Sequence, residues 1–242
     1  MRSIFCIFGI TSLLTSTISE ARTIQFADRK WRVKSGYWGP GDNYWSAGEK
    51  SVWVDTNGYL HLKIRNVSGT WYCAEVSTQT FTRYGIHRFY INAPLDSLDK
   101  NVIFAPFLYK NDSTEIDIEF SRWGEENPGF NSQYVVQPWN KKENLHRFLM
   151  ELKGTHTSHY INWQSSSVKF KSIYGHYPEP PDSNCLLHQW LYKGNDIPHQ
   201  SENLRIHINL WLMTGNPPSN GKEVEVVITD ADLPPPIDRN PD

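Results

Sequence analysis

The chain has 242 residues, 14% of them aromatic with 10 Trp, and 24 Lys and Arg against 26 Asp and Glu leave a formal net charge of −2. A nucleic-acid binder living on phosphate contacts carries a basic excess or stripe, which this chain lacks, and the aromatic load excludes an acidic disordered chain. Length alone admits one large all-β domain or two small domains.

The chain opens with Met1-Arg2-Ser3, a short basic start, followed by an apolar run from Ile4 to Leu14 and by Ser19-Glu20-Ala21, which places small residues at the two positions a signal peptidase reads. This is the layout of a secretory signal peptide. The run is shorter than the roughly 18 apolar residues a membrane-spanning helix needs. The expectation is a signal peptide over 1–21, a mature domain over 22–233 and a Pro-rich tail over 234–242. The mature protein is expected to be a secreted, extracellular or periplasmic monomer, with no membrane association after cleavage. Cleavage removes Arg2 and Glu20, so the net charge is unchanged, and it removes Cys6. Whether the remaining Cys73 and Cys185 pair stays open, because sequence does not supply the Cα separation below about 7 Å that a disulfide requires. No C-x-x-C and no Cys/His cluster at zinc spacing occurs.

From Trp31 onward, short alternating segments are broken by turn signals. Gly36 to Gly48 reads as a loop rich in rings (Tyr37, Trp38, Tyr44, Trp45). Ser51 to Asp55 and Tyr59 to Ile64 flank Asn57-Gly58, a dipeptide suited to the positive φ angles of a tight hairpin. In the second of these runs Leu60, Leu62 and Ile64 alternate with Tyr59, His61 and Lys63, so one face is apolar. Further strands are expected at Trp71 to Val76, Ile86 to Ile91, Val102 to Tyr109, Glu115 to Phe120, Gln133 to Val136 and His146 to Leu152. Ser158 to Trp163, Val168 to Ile173, Leu204 to Leu212 and Glu223 to Thr229 complete the series. Tyr177 to Glu202, with Pro178, Pro180, Pro181 and Pro198, reads as a second long irregular stretch, and Leu233 to Asp238 as a non-packing end. About a dozen short strands at this spacing predict a single all-β domain, a sandwich or a barrel.

The segment Thr114-Glu115-Ile116-Asp117-Ile118-Glu119-Phe120 carries the chemistry. In a strand, Glu115, Asp117 and Glu119 share one face while Ile116, Ile118 and Phe120 share the other. Three like charges on one strand face repel, and acidic residues are depleted in strands. Such a local violation is expected where function demands it, although a solvated acidic face without chemistry has the same pattern. Two carboxylates flanking a sugar bond are what glycoside hydrolysis requires, and a third between them raises the pKa of its neighbours. The Cα atoms of Glu115 and Glu119 are roughly 13 Å apart along an extended strand. A retaining mechanism wants the carboxyl groups about 5–5.5 Å apart. The two side chains therefore have to lean together, as on the concave side of a curved sheet.

With this motif the chain resembles glycoside hydrolase family 16, the retaining endo-β-glucanases with a β-jelly-roll fold. E-I-D-I-E-F stands in the regular-strand form of lichenase-like and xyloglucan-modifying members. The resemblance extends to Cys73-Ala74-Glu75, a segment that contacts sugar in lichenases, to Tyr84-Gly85, to the ring positions Phe107 and Tyr109, and to Asn209-Leu210-Trp211, whose Asn and Trp line the cleft. It implies a jelly-roll sandwich of two curved antiparallel sheets, with Glu115 as nucleophile, Glu119 as general acid/base and Asp117 as electrostatic helper. The chain departs from the lichenase pattern at Ser77 (Arg there), Ser113 (Trp), Val135 (Asn), Gln137 (Tyr) and Arg29 (the cysteine that pairs with the Cys73 equivalent).

A glycan groove needs flat apolar faces beside polar groups. Trp211 with Asn209, and Trp38, Tyr44 and Trp45 with Asn43, fit that need, whereas Trp31, Trp53, Trp71 and Trp163 lie inside alternating strands and are expected in the core. Trp123, four residues past Glu119, is a candidate border of the site. The histidines form no metal signature, so no cofactor is expected, and a structural calcium ion on the outer sheet fits the resemblance without named ligands. Asn66-Val67-Ser68 and Asn111-Asp112-Ser113 are N-glycosylation sequons if the source is eukaryotic. The expected partner is a β-linked polysaccharide, a β-glucan above all, and the near-neutral charge fits an uncharged one. A non-catalytic carbohydrate-binding jelly roll and a transglycosylase remain as alternatives.

Overall fold

The computed structural model describes residues 21–237, so the expected signal peptide over 1–21 falls almost wholly outside the described residues, as does the end of the expected tail. Among the described residues there is no α-helix; five short 3-10 turns punctuate seventeen strands. In chain order these are β1 (Thr23–Phe26), β2 (Arg29–Val33), β3 (Gly36–Trp38), β4 (Asn43–Trp45), β5 (Val52–Val54), β6 (Leu60–Val67), β7 (Thr70–Thr78), β8 (Gly85–Asn92) and β9 (Val102–Asn111). They continue with β10 (Thr114–Phe120), β11 (Ser132–Val136), β12 (Leu145–Phe148), β13 (His156–Gln164), β14 (Ser167–Tyr174), β15 (Leu186–Tyr192), β16 (Arg205–Leu212) and β17 (Val224–Asp232).

Two antiparallel sheets face each other. The inner sheet runs β1-β2-β7-β16-β9-β10-β11-β12. The outer sheet runs β5-β6-β17-β8-β13-β14-β15. The β6–β7 hairpin, with Arg65 to Val67 paired to Tyr72 to Thr70, carries the chain from the outer sheet to the inner one. This is the jelly-roll sandwich the sequence led us to expect.

The core follows from period-2 alternation. Leu60, Leu62 and Ile64 of β6 are fully buried, and they meet Ile116, Ile118 and Phe120 of β10 and Ile206, Ile208 and Leu210 of β16 across one hydrophobic cluster. Each such side chain contributes about 1.5–3 kcal/mol of transfer free energy. Trp31 and Trp163 are core residues as expected, and each indole N–H has a carbonyl partner, Phe26 O and Pro198 O, both at 2.9 Å. Trp53 is not a core residue. It stacks on His61 at 4.4 Å on the solvent side of the outer sheet, and Trp71 is only partly buried against the core.

Other local expectations are corrected. Only Gly58 of the Asn57-Gly58 pair adopts positive φ (82°), because the Asp55 carboxylate takes the N–H groups of Asn57 and Tyr59 and closes a longer turn. The strand expected over His146 to Leu152 stops at Phe148, since the Asn131 side chain pairs with both backbone groups of Met150. Gly36 to Gly48 contains β3 and β4, and Tyr177 to Glu202 contains β15. The tail packs as far as Ile237: Pro234 O accepts from Arg29, Pro236 O accepts from Arg83 at 2.9 Å, and Ile237 N–H donates to Phe81 O at 2.9 Å. Cys73, buried on β7, and Cys185, in the turn before β15, are unpaired.

Candidate active site

β10 builds the site because its two faces meet opposite environments. Ile116, Ile118 and Phe120 are sealed in the core, which fixes Glu115, Asp117 and Glu119 on the concave face. All three line one cleft of about 560 Å³. Their cross-strand neighbours carry no negative charge: Tyr109 opposite Glu115, Phe107 and Val135 opposite Asp117, and Gln133 opposite Glu119. The directly paired positions therefore add no repulsion to that within the strand. A register shift between Thr114 and Glu115 bends the ladder where the first carboxylate enters the cleft.

Burial raises the Glu115 carboxyl to about 8, with the charges of Glu119, Asp112 and Glu75 adding to the shift and a hydrogen bond with Asp117 opposing it. Burial also lifts Asp117 well above the ordinary carboxylate range, reinforced by the charges of Glu115 and Glu119. The Glu115–Asp117 hydrogen bond lowers the first group and raises the second, so Asp117 holds the shared proton and donates to the Glu115 carboxylate. Glu119 is raised by burial against the Gln133 amide, which donates to it, and the Arg147 charge. Arg147 in turn donates to Gln133 Oε1 at 3.1 Å, fixing the amide in its donating orientation. Once the Glu115–Asp117 pair has lost one of its two protons, the remaining one sits on Asp117 and leaves Glu115 as the carboxylate, while burial favours the protonated form of Glu119.

A fourth carboxyl, Glu75 of β7, lies across the cleft with an opposite balance. Burial pushes it up, but His207 Nδ1 at 3.0 Å and Lys34 Nζ at 2.8 Å outweigh burial and leave it below its ordinary value. It is a paired, ionised group. Lys34 also donates to Gly39 O at 2.8 Å and lies 4.0 Å over the Trp45 ring. The His207 ring packs against Phe107 (5.0 Å) and Tyr109 (5.3 Å), and Tyr109 donates to Asp112 at 3.0 Å. Asn209 has a buried side-chain oxygen without a partner on a wall of the cleft, an open acceptor for a ligand hydroxyl.

Of the residues expected to contact sugar, Glu75, Phe107, Tyr109, Asn209 and Trp211 all line the cleft with the three carboxylates. Asn43 does not. Its side-chain amide is buried and donates to Pro40 O and Leu212 O, both at 2.9 Å, so it ties the β3–β4 loop to β16. Within that loop Trp45 is buried beneath Lys34, whereas Tyr37, Trp38 and Tyr44 are exposed outside the cleft lining and only Gly39 and Pro40 form its wall. Trp123 is also off the wall, 5.6 Å from the Phe130 ring and beneath Arg147. His156 is exposed on β13, while His159 is buried between Ser172 and Thr157, both at 2.8 Å.

The sequence reading missed Lys34, Asp112, Trp139 and His207, and treated Gln137 only as a departure from the lichenase pattern. Alternation carried a signal for one of them, because His207, Asn209 and Trp211 share a face of β16. Gln137 donates to Asp117 at 3.2 Å. Ser77 lies between Arg32 of β2 and His207 of β16. Among the described residues no group of three or more His, Cys, Asp or Glu is arranged to hold a metal ion.

No protein-family model and no curated protein matches the chain in sequence. Solved structures do match. A β-glucanase of Bacillus licheniformis superimposes with TM-score 0.58 at 17% identity, over 82% of this chain and 89% of that one. A β-1,3-1,4-glucanase (lichenase) derived from a mouse hindgut metagenome gives TM-score 0.57 at 18% identity, over 82% and 90%. A glycoside hydrolase family 16 endo-glucanase from Bacteroides ovatus gives TM-score 0.60 at 14% identity, over 84% and 94%. The chain has the lichenase-like fold of glycoside hydrolase family 16.

Proposed function

We propose that the protein is a secreted, retaining endo-β-glycosidase that hydrolyses a β-linked polysaccharide of the β-glucan class. The observation that carries this reading is the meeting of Glu115, Asp117 and Glu119 in one cleft, with carboxyls raised to different degrees by their surroundings. A binding module has no need of such a set, since three buried carboxylates on one strand destabilise the fold and contribute nothing to stacking on neutral sugar.

The polysaccharide lies across the concave sheet, its rings against Trp211, Trp139 and Phe107. Glu119 protonates the glycosidic oxygen as that bond breaks, while the Glu115 carboxylate attacks the anomeric carbon and forms a glycosyl ester. The departing chain leaves as an alcohol. Glu119, now ionised, takes a proton from water; the water oxygen attacks the anomeric carbon and Glu115 is released as carboxylate. Asp117 keeps its proton throughout and holds Glu115 by the shared hydrogen bond.

The test is turnover of β-1,3-, β-1,3-1,4- and β-1,4-glucans and of algal galactans. Wild type is expected to release oligosaccharides from at least one of them, Glu119→Gln to lose roughly 10²–10⁴-fold in rate, and Glu115→Gln to be inert. Wild type as inert as Glu115→Gln on every polymer contradicts hydrolysis, and products longer than the substrate with added oligosaccharide acceptors identify a transglycosylase instead.

A further inference from the structure

The cleft does not end at Tyr109 and His207. Both residues are shared with an adjoining pocket of about 280 Å³, whose other lining includes Arg32, Lys110 and Arg205. Three cations and a histidine surround this pocket, and no carboxylate lines it. Strand register connects it to the chemistry. Arg205 of β16 is opposite Tyr109 of β9, which is opposite Glu115 of β10. Arg32 of β2 is opposite Ser77, in the row that runs through His207 and Phe107 to Asp117. At about 4.8 Å per strand, the Arg205 Cα is roughly 10 Å from that of Glu115, within reach of one short oligosaccharide bound across both.

Both guanidinium groups are exposed to solvent at the pocket. Lys110 is paired with Glu202, but among the described residues neither Arg32 nor Arg205 makes an ion pair. Arg205 lies 4.3 Å over the Phe81 ring, which holds it in place without neutralising it. Burial first, and the nearby Arg32 charge second, pull the Arg205 group below its ordinary value. Like charges held together beside a substrate cleft are unfavourable in the free protein and become favourable when a ligand brings the counter-charge. A planar guanidinium fork matches the oxygens of a carboxylate or a sulfate.

We propose that Arg32 and Arg205 form an anionic subsite at the end of the cleft, taking a sugar residue that carries a carboxylate or sulfate group. The inference rests on the reading of the cleft as a polysaccharide site and narrows its substrate class. It also revises the expectation from net charge alone, because a total of −2 conceals a local cationic pocket beside the carboxylates.

Binding is measured on Glu119→Gln, so that intact polymer persists, by titration calorimetry with a neutral β-glucan and a neutral β-galactan, each alongside its carboxylated and its sulfated derivative. The proposal predicts at least about tenfold tighter binding of an anionic member than of its neutral parent. Which derivative gains more distinguishes uronate from sulfate. Adding Arg32→Ala and Arg205→Ala is expected to erase the preference and leave neutral polymers unaffected, whereas the charge-matched Lys153→Ala/Lys193→Ala control retains it. Equal affinity for neutral and anionic polymers, no binding of any polymer, or a preference that survives removal of both arginines overturns the proposal. Hydrolysis of neutral β-glucan by wild type with no anionic preference removes the subsite and leaves the glycosidase reading standing. Arginine-dependent anion binding without turnover does the reverse.

Discussion

At the level of single residues, the carboxylates of β10 show a conflict between stability and chemistry. Burial pushes the Glu115 carboxyl up from an ordinary value of 4.5 to about 8, and lifts Asp117 well above its ordinary range as well. The folded state therefore binds more protons than the unfolded chain between those limits, and its stability falls as pH rises through that window. Asp117→Asn removes a buried carboxyl that the fold must keep protonated, while its amide still donates to Glu115. It is expected to melt at higher temperature than wild type at about pH 8, with the difference shrinking toward pH 5, and to lose activity. Scanning calorimetry across that range checks it; an Asn variant that melts lower at pH 8, with the gap closing at pH 5, contradicts the electrostatic account. Glu75 shows the opposite balance in the same cleft, since Lys34 and His207 keep it ionised.

At the level of elements, β10 was legible in the sequence because its function and its fold use the same period of two. The row of Phe107, Tyr109, Asn209 and Trp211 was legible from resemblance, and the structure lines the cleft with all four. Lys34 and Gln137 were not, because their partners Glu75 and Asp117 are brought to them by strand pairing rather than by spacing. β3, β4 and β15 were hidden because they sit in segments whose Gly and Pro residues read as loop; β3 and β4 form a hairpin that joins β7, and β15 pairs with β14. The β3–β4 loop also shows how the cleft wall is held. Gly41 has φ of 71°, and a Cβ there would stand 2.9 Å from both Leu212 O and the Trp211 ring. Gly41→Ala is expected to cost of order 1–3 kcal/mol of stability and to displace Trp211, weakening glycan binding about tenfold with a smaller effect on kcat. Unchanged affinity would remove Trp211 and this loop from the binding surface.

At the level of the whole molecule, the many rings divide between two uses that composition does not separate. Trp31 and Trp163 fill the space between the sheets, whereas Trp211 and Trp139 line the cleft on the opposite side of the inner sheet. The sandwich thus presents a core on one face of β10 and the carboxylate cleft on the other. The proposed reaction is a double displacement with Glu115 and Glu119 close enough to act on the same bond, which fixes the stereochemistry of the product. Proton NMR of a β-glucan digested by wild type, recorded before mutarotation, measures it directly. The account predicts that the first-formed reducing end is the β anomer. An α anomer appearing first would mean inversion, with a water molecule between the carboxyls, and would contradict the assignment of Glu115 as nucleophile.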